Sequence, residues 1–96
     1  MINNLLISQM VYPKNTTEKN IKNWEKQLKI FHSGYAEIEK EYCFEENNFI
    51  YYFLISRTFD FPLEMVEREI EEDWHLLLSE TMKEQVRIMK EEIKEE

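Results

Sequence analysis

Between Ala36 and Phe59 the chain reads AEIEKEYCFEENNFIYYFLISRTF, and the two asparagines at its centre decide the fold. Asparagine tolerates positive φ, so Asn47-Asn48 predicts a two-residue hairpin turn. That turn sets Phe44 opposite Tyr51, Tyr42 opposite Phe53 and Ala36 opposite Phe59. Cross-strand partners share a face. One face therefore collects Ala36, Ile38, Tyr42, Phe44, Tyr51, Phe53, Ile55 and Phe59, a core face. Lys40 and Arg57 are its exceptions, with stems long enough to carry their charges to an edge.

The other face of the ribbon carries Glu37, Glu39, Glu41, Cys43 and Glu45 from the first strand. The second strand adds Ile50, Tyr52, Leu54, Ser56 and Thr58. Two readings compete for it. Either another part of the chain, such as the C-terminal tail, covers this face, or it is an exposed apolar strip beside an acidic stripe, made for a partner or for a second copy of the chain. On the second reading the partner-binding residues are Glu37, Glu39, Glu41, Glu45, Ile50, Tyr52 and Leu54.

Working outward, Leu5 to Tyr12 is apolar and ends at Pro13, which predicts a first strand. Asn15 stands three residues before Glu18, close to a capping box. Ile21, Trp24, Leu28 and Phe31 then recur on one helical face, and Gly34 is placed to end the helix in a left-handed cap. His32 falls in the last turn, where the helix dipole favours its proton.

Beyond the ribbon, Asp60 and Pro62 open a second helical run, with Leu63, Val66, Ile70, Trp74 and Leu77 on one face. Leu78, Met82, Val86, Met89 and Ile93 continue it. No Gly or Pro interrupts the chain after Leu63. A single helix of that length overhangs a small sheet. The chain either projects, with Met82, Val86, Met89 and Ile93 pairing as an oligomer seam, or bends near Ser79, with Thr81 and Glu84 as a second capping box.

The order strand, helix, strand, strand, helix predicts an α+β fold of β-α-β-β-α topology. We expect a two-layer sandwich whose three-stranded sheet has the order 2-3-1, with a long C-terminal helix. Ninety-six residues allow one domain, expected as a compact core over 1–78 and an acidic helical extension over 79–96.

The formal net charge is −8, which disfavours nucleic acid and anionic membranes as direct partners. Through Ser33 five lysines face two glutamates. From Gly34 onward seven Lys and Arg face eighteen Asp and Glu. One cysteine and one glycine exclude an internal disulfide, a multi-cysteine zinc site and most phosphate loops. No leader or membrane-length apolar run is visible, so a cytoplasmic protein is expected.

Candidate chemistry is thin. Glu72 and His75 have the i, i+3 spacing of one helix in a di-iron site, but such a site needs two copies of the pair and two further glutamates from other helices, and the sequence has one copy. Cys43 lies between Glu41 and Glu45, which suppress its thiolate. No catalytic residue, metal or cofactor is expected.

The expectation is a small acidic, non-enzymatic protein-protein interaction protein. It would bind a basic protein surface, for example that of a nucleic-acid-binding protein, and inhibit or mask it. Inhibitors, antitoxins, immunity factors and phage anti-defence proteins work in this way, some as nucleic-acid mimics. The Lys-, Glu-, Asn- and Ile-rich composition is in the style of small phage proteins. The alternative is a structural homo-oligomer or assembly factor, such as a homodimer, pairing through its C-terminal helix.

Overall fold

The turn at Asn47-Asn48 organises the molecule. In the computed structural model, which describes residues 5–57 and 63–95, these asparagines have φ of 53° and 70°, the two positive values of a hairpin turn. They join β2 (Lys40–Glu46) to β3 (Phe49–Arg57). The pairs Phe44–Tyr51, Tyr42–Phe53 and Lys40–Ile55 follow the predicted register. β2 begins at Lys40, so residues 36–39 approach it as irregular chain. The predicted Ala36–Phe59 pair, the Asp60 cap and Pro62 lie outside the described residues.

β1 (Leu5–Pro13) pairs antiparallel with the other side of β3, giving the sheet order β1-β3-β2. This is the predicted α+β fold and strand order. β3 is central, as its near-continuous apolar run Phe49 to Ile55 requires, and Phe53, Leu54 and Ile55 are fully buried.

Helices cover both faces of the sheet, one layer more than the sequence led us to expect. On the face of Tyr51, Phe53 and Ile55 lie α2 (Leu63–Glu72), a 3-10 turn (Trp74–Leu77) and α3 (Glu80–Glu95). Val66, Ile70, Leu77 and Val86 complete this main core. Trp74 stacks on Phe44 with ring centroids 5.0 Å apart and tilts against Tyr51 at 4.6 Å.

Seating that indole breaks the long helical run at Asp73, although no Gly or Pro marks the place. The chain then turns back through Leu78 and Ser79. Ser79 Oγ accepts the Met82 N–H at 3.2 Å, so Ser79, and not the predicted Thr81, caps α3. Gln9 holds the bend from the sheet: its Nε2 donates to the Leu77 carbonyl, and its Oε1 accepts the Ser79 N–H at 3.2 Å. As a result α3 lies on the sheet instead of overhanging it.

The opposite face carries α1 (Glu18–Ser33). Its cap is Thr17, whose hydroxyl accepts the Asn20 N–H at 3.4 Å. Asn15 is taken up by a turn in which Thr16 N–H bonds the Pro13 carbonyl. Gly34 has φ −68° and stays right-handed, donating to Phe31 and His32 carbonyls. The predicted left-handed cap does not form.

Candidate functional site

The ribbon face expected to meet a partner lies beneath α1. Tyr52 is 5% exposed, Leu54 0% and Ile50 half-buried. The apolar half of the predicted partner-binding strip is therefore interior, because the N-terminal helix covers it. Three of its four carboxylates are engaged within the chain. Arg57 grips Glu39 in a fork, Nε to Oε2 at 2.8 Å and Nη2 to Oε1 at 2.9 Å, and its backbone N–H adds a third bond at 3.1 Å. These bonds hold the Glu39 carboxyl below its usual range. Glu41 accepts the Tyr52 hydroxyl and pairs with Lys29 of α1 at 3.0 Å. The hydroxyl first, then the ammonium, lowers its pKa. Glu45 pairs with Lys14 at 2.9 Å. Glu37 is exposed.

Polar contacts join α1 to the sheet. His32, fully buried, joins the two layers: Nδ1 lies 2.8 Å from Ser8 Oγ and Nε2 lies 2.8 Å from Ser56 Oγ. Ser56 donates its own proton to the Glu37 carbonyl. Ser56 therefore accepts from Nε2–H, and Nδ1 accepts from Ser8, which fixes one neutral tautomer. Burial pushes the His32 pKa below its ordinary value. The expectation that the helix terminus would favour its proton is thus reversed, because desolvation outweighs the dipole.

Because Glu25, Lys29 and His32 turn toward this polar sheet face, the apolar stripe of α1 is rotated outward. Trp24 is 40% exposed and Phe31 61%.

The expected oligomer seam is largely occupied. Met82 and Val86 are buried and Met89 packs on the main core; the side chain of Ile93 lies outside the described residues. Their periodic face is spent on the chain's own sheet.

Besides Ile30, Phe31 and Tyr35 of the α1 region, the outer face of α2 and the 3-10 turn is exposed. Glu64, Glu69, Glu71, Glu72 and Asp73 are all at the surface, together with Met65 at 56% and Leu76 at 73% exposure. α2 carries five glutamates and one arginine in ten residues. Met65, Glu69 and Glu72 follow the i, i+4, i+7 spacing of one helical face. Neither Met65 nor Leu76 was singled out from the sequence. Their signal was an apolar residue off the core stripe of an amphipathic helix.

The Cys43 thiol is pushed up by burial and by Glu25 and Glu45. His75 turns from Glu72 to Glu46, with Nε2 to Oε2 at 2.9 Å, and stacks on Trp74. Among the described residues no cluster of His, Cys, Asp and Glu is arranged to hold a metal ion, and no helix is long and apolar enough to cross a membrane. No known protein family, curated protein or solved structure matches the chain.

Proposed function

We propose that the chain is a non-enzymatic interaction domain that presents the acidic outer face of α2 and the 3-10 turn to a basic protein surface. The observation that carries this reading is the pair Met65 and Leu76, large apolar side chains left in solvent among carboxylates. Negative charge steers a cationic partner to the face and raises the rate of encounter. Burial of Met65 and Leu76 then slows its release. The hairpin carboxylates, matched by Arg57, Lys29 and Lys14, serve the fold instead. Inhibition of a nucleic-acid-binding protein, with carboxylates taking the places of phosphates, is the specific form this reading favours.

The test is cross-linking capture from native host cells, using the wild type, a Glu71→Lys/Glu72→Lys variant and a Met65→Ser/Leu76→Ser variant. A basic protein retained by the wild type and lost by both variants is expected, with capture weakening as salt rises. A partner held equally by all three proteins refutes the assignment of this face.

A further inference from the structure

The two edges of the sheet are built differently. β2 lines its edge with Lys40, Glu41, Glu45 and Glu46, charges that discourage further strand pairing. β1 has none; from Met1 to Pro13 the chain carries no charged side chain.

The pairing pattern shows which β1 groups face outward. A two-residue turn makes Glu46 and Phe49 a hydrogen-bonded pair, so by alternation Ile50, Tyr52, Leu54 and Ser56 turn their N–H and C=O groups toward β1. Their partners are Tyr12, Met10, Ser8 and Leu6. The backbone groups of Leu5, Ile7, Gln9 and Val11 therefore point to the open edge. Beside that edge runs an open groove of about 470 Å³. Trp24, Leu28 and Phe31 of α1 form one bank, and Met82 and Gln85 of α3 form the other; among the described residues no charged side chain lines it.

We propose that this edge pairs antiparallel with β1 of a second copy of the chain, about a two-fold axis at Ser8, joining two three-stranded sheets into one of six. Three observations select a second copy as the occupant. The register is self-complementary: Leu5 faces Val11 of the partner subunit, Leu6 faces Met10 of the partner subunit, and Ile7 faces Gln9 of the partner subunit. It uses every outward-facing group from Leu5 to Val11 and leaves out Pro13, which has no N–H to give. Second, a chain of charge −8 meets its own kind most cheaply along an uncharged seam. Third, the helices fit. His32 bonds both Ser8 of β1 and Ser56 of β3, which sets α1 above the boundary of those strands. With strands about 4.8 Å apart, the two α1 helices come to lie about 10 Å apart, close to the roughly 8–10 Å of packed helices. Trp24, Leu28 and Phe31 then fill the space between them. This pairing uses a different surface from the acidic face of α2 and stands whether or not that face has a partner.

The test combines light scattering with amide hydrogen exchange followed by NMR on the full chain. A particle of two chains is expected, in which the amides of Ile7, Gln9 and Val11 are protected like those of Leu6, Ser8 and Met10. Phe31→Glu, at an exposed site, should return the particle to one chain and make exchange at Ile7, Gln9 and Val11 fast, with circular dichroism unchanged. A wild-type monomer whose Ile7, Gln9 and Val11 amides exchange freely overturns the proposal. So does a dimer in which those three amides stay unprotected, or a monomer in which they become protected only when host extract supplies a foreign strand.

Discussion

His32 is a neutral imidazole held by two hydroxyls in a place no water reaches. Protonation would turn both ring nitrogens into donors and leave the Ser8 proton without its acceptor. Because burial sets the folded pKa below the ordinary value of about 6.5, the unfolded chain binds the proton more readily. Stability from this site is therefore complete above about pH 6.5 and is lost as the pH falls below it. Urea midpoints measured from about pH 7.5 down to pH 5 should decline, and His32→Gln should flatten that slope. An unchanged slope in the variant would refute the assignment. Glu39 and Glu41, whose pKa values are lowered, act in a separate window: their contribution is present above about pH 4.3 and is lost at lower pH. His32→Ala should cost about 1–3 kcal/mol in denaturant unfolding, through the loss of its two hydrogen bonds between the layers. Sequence alone could place His32 in the last helical turn. It could not show which layer the ring would enter, because Ser8 and Ser56 come from strands far away in the chain.

Elements were legible where the deciding chemistry is local. Asn47-Asn48 marks its turn because few residues accept positive φ, and the register of β2 on β3 follows from it. Asn48→Val, at φ 70°, should destabilise by about 1–2 kcal/mol, the cost of forcing a side chain with a branched Cβ into the left-handed region. Thermal melts of the variant would show it. Ser79→Ala should cost about 1 kcal/mol by removing the cap of α3. Thr81→Ala should change little, and an equal loss in both variants would contradict the observed boundary. Elements were illegible where a distant surface decides. The stripe Ile21, Trp24, Leu28, Phe31 has the period of a core face, yet periodicity does not say what lies opposite. The sheet face beneath α1 presents Ser8, Ser56, Glu41 and Cys43, and it draws in Lys29 and His32 while Phe31 stays outside. The break at Asp73 has the same origin: Trp74 leaves the helix to stack on Phe44, a demand made by a strand some thirty residues earlier.

Across the whole molecule, charge is sorted by layer. The cations beside the hairpin meet its acids, Lys29 of α1 pairing with Glu41 and Lys14 with Glu45. The layer from Leu63 to Glu95 holds eleven carboxylates against five Lys and Arg. This excess of negative charge is self-repulsive and screened by salt. Moderate salt should therefore raise the thermal midpoint slightly while slowing association with a cationic partner, two opposite trends that calorimetry and stopped-flow mixing can separate. A fall in both would place the excess charge inside stabilising pairs.

The two indoles occupy opposite circumstances. Trp74 sits among Phe44, Tyr51 and Phe53 with the His75 ring stacked 4.0 Å away, whereas Trp24 leans on Tyr12 at the rim of the sheet. Their fluorescence is accordingly divisible without any added dye. Emission from Trp74 reports the integrity of the interior, while a blue shift confined to Trp24, which is 40% exposed, would record the drying of its flank.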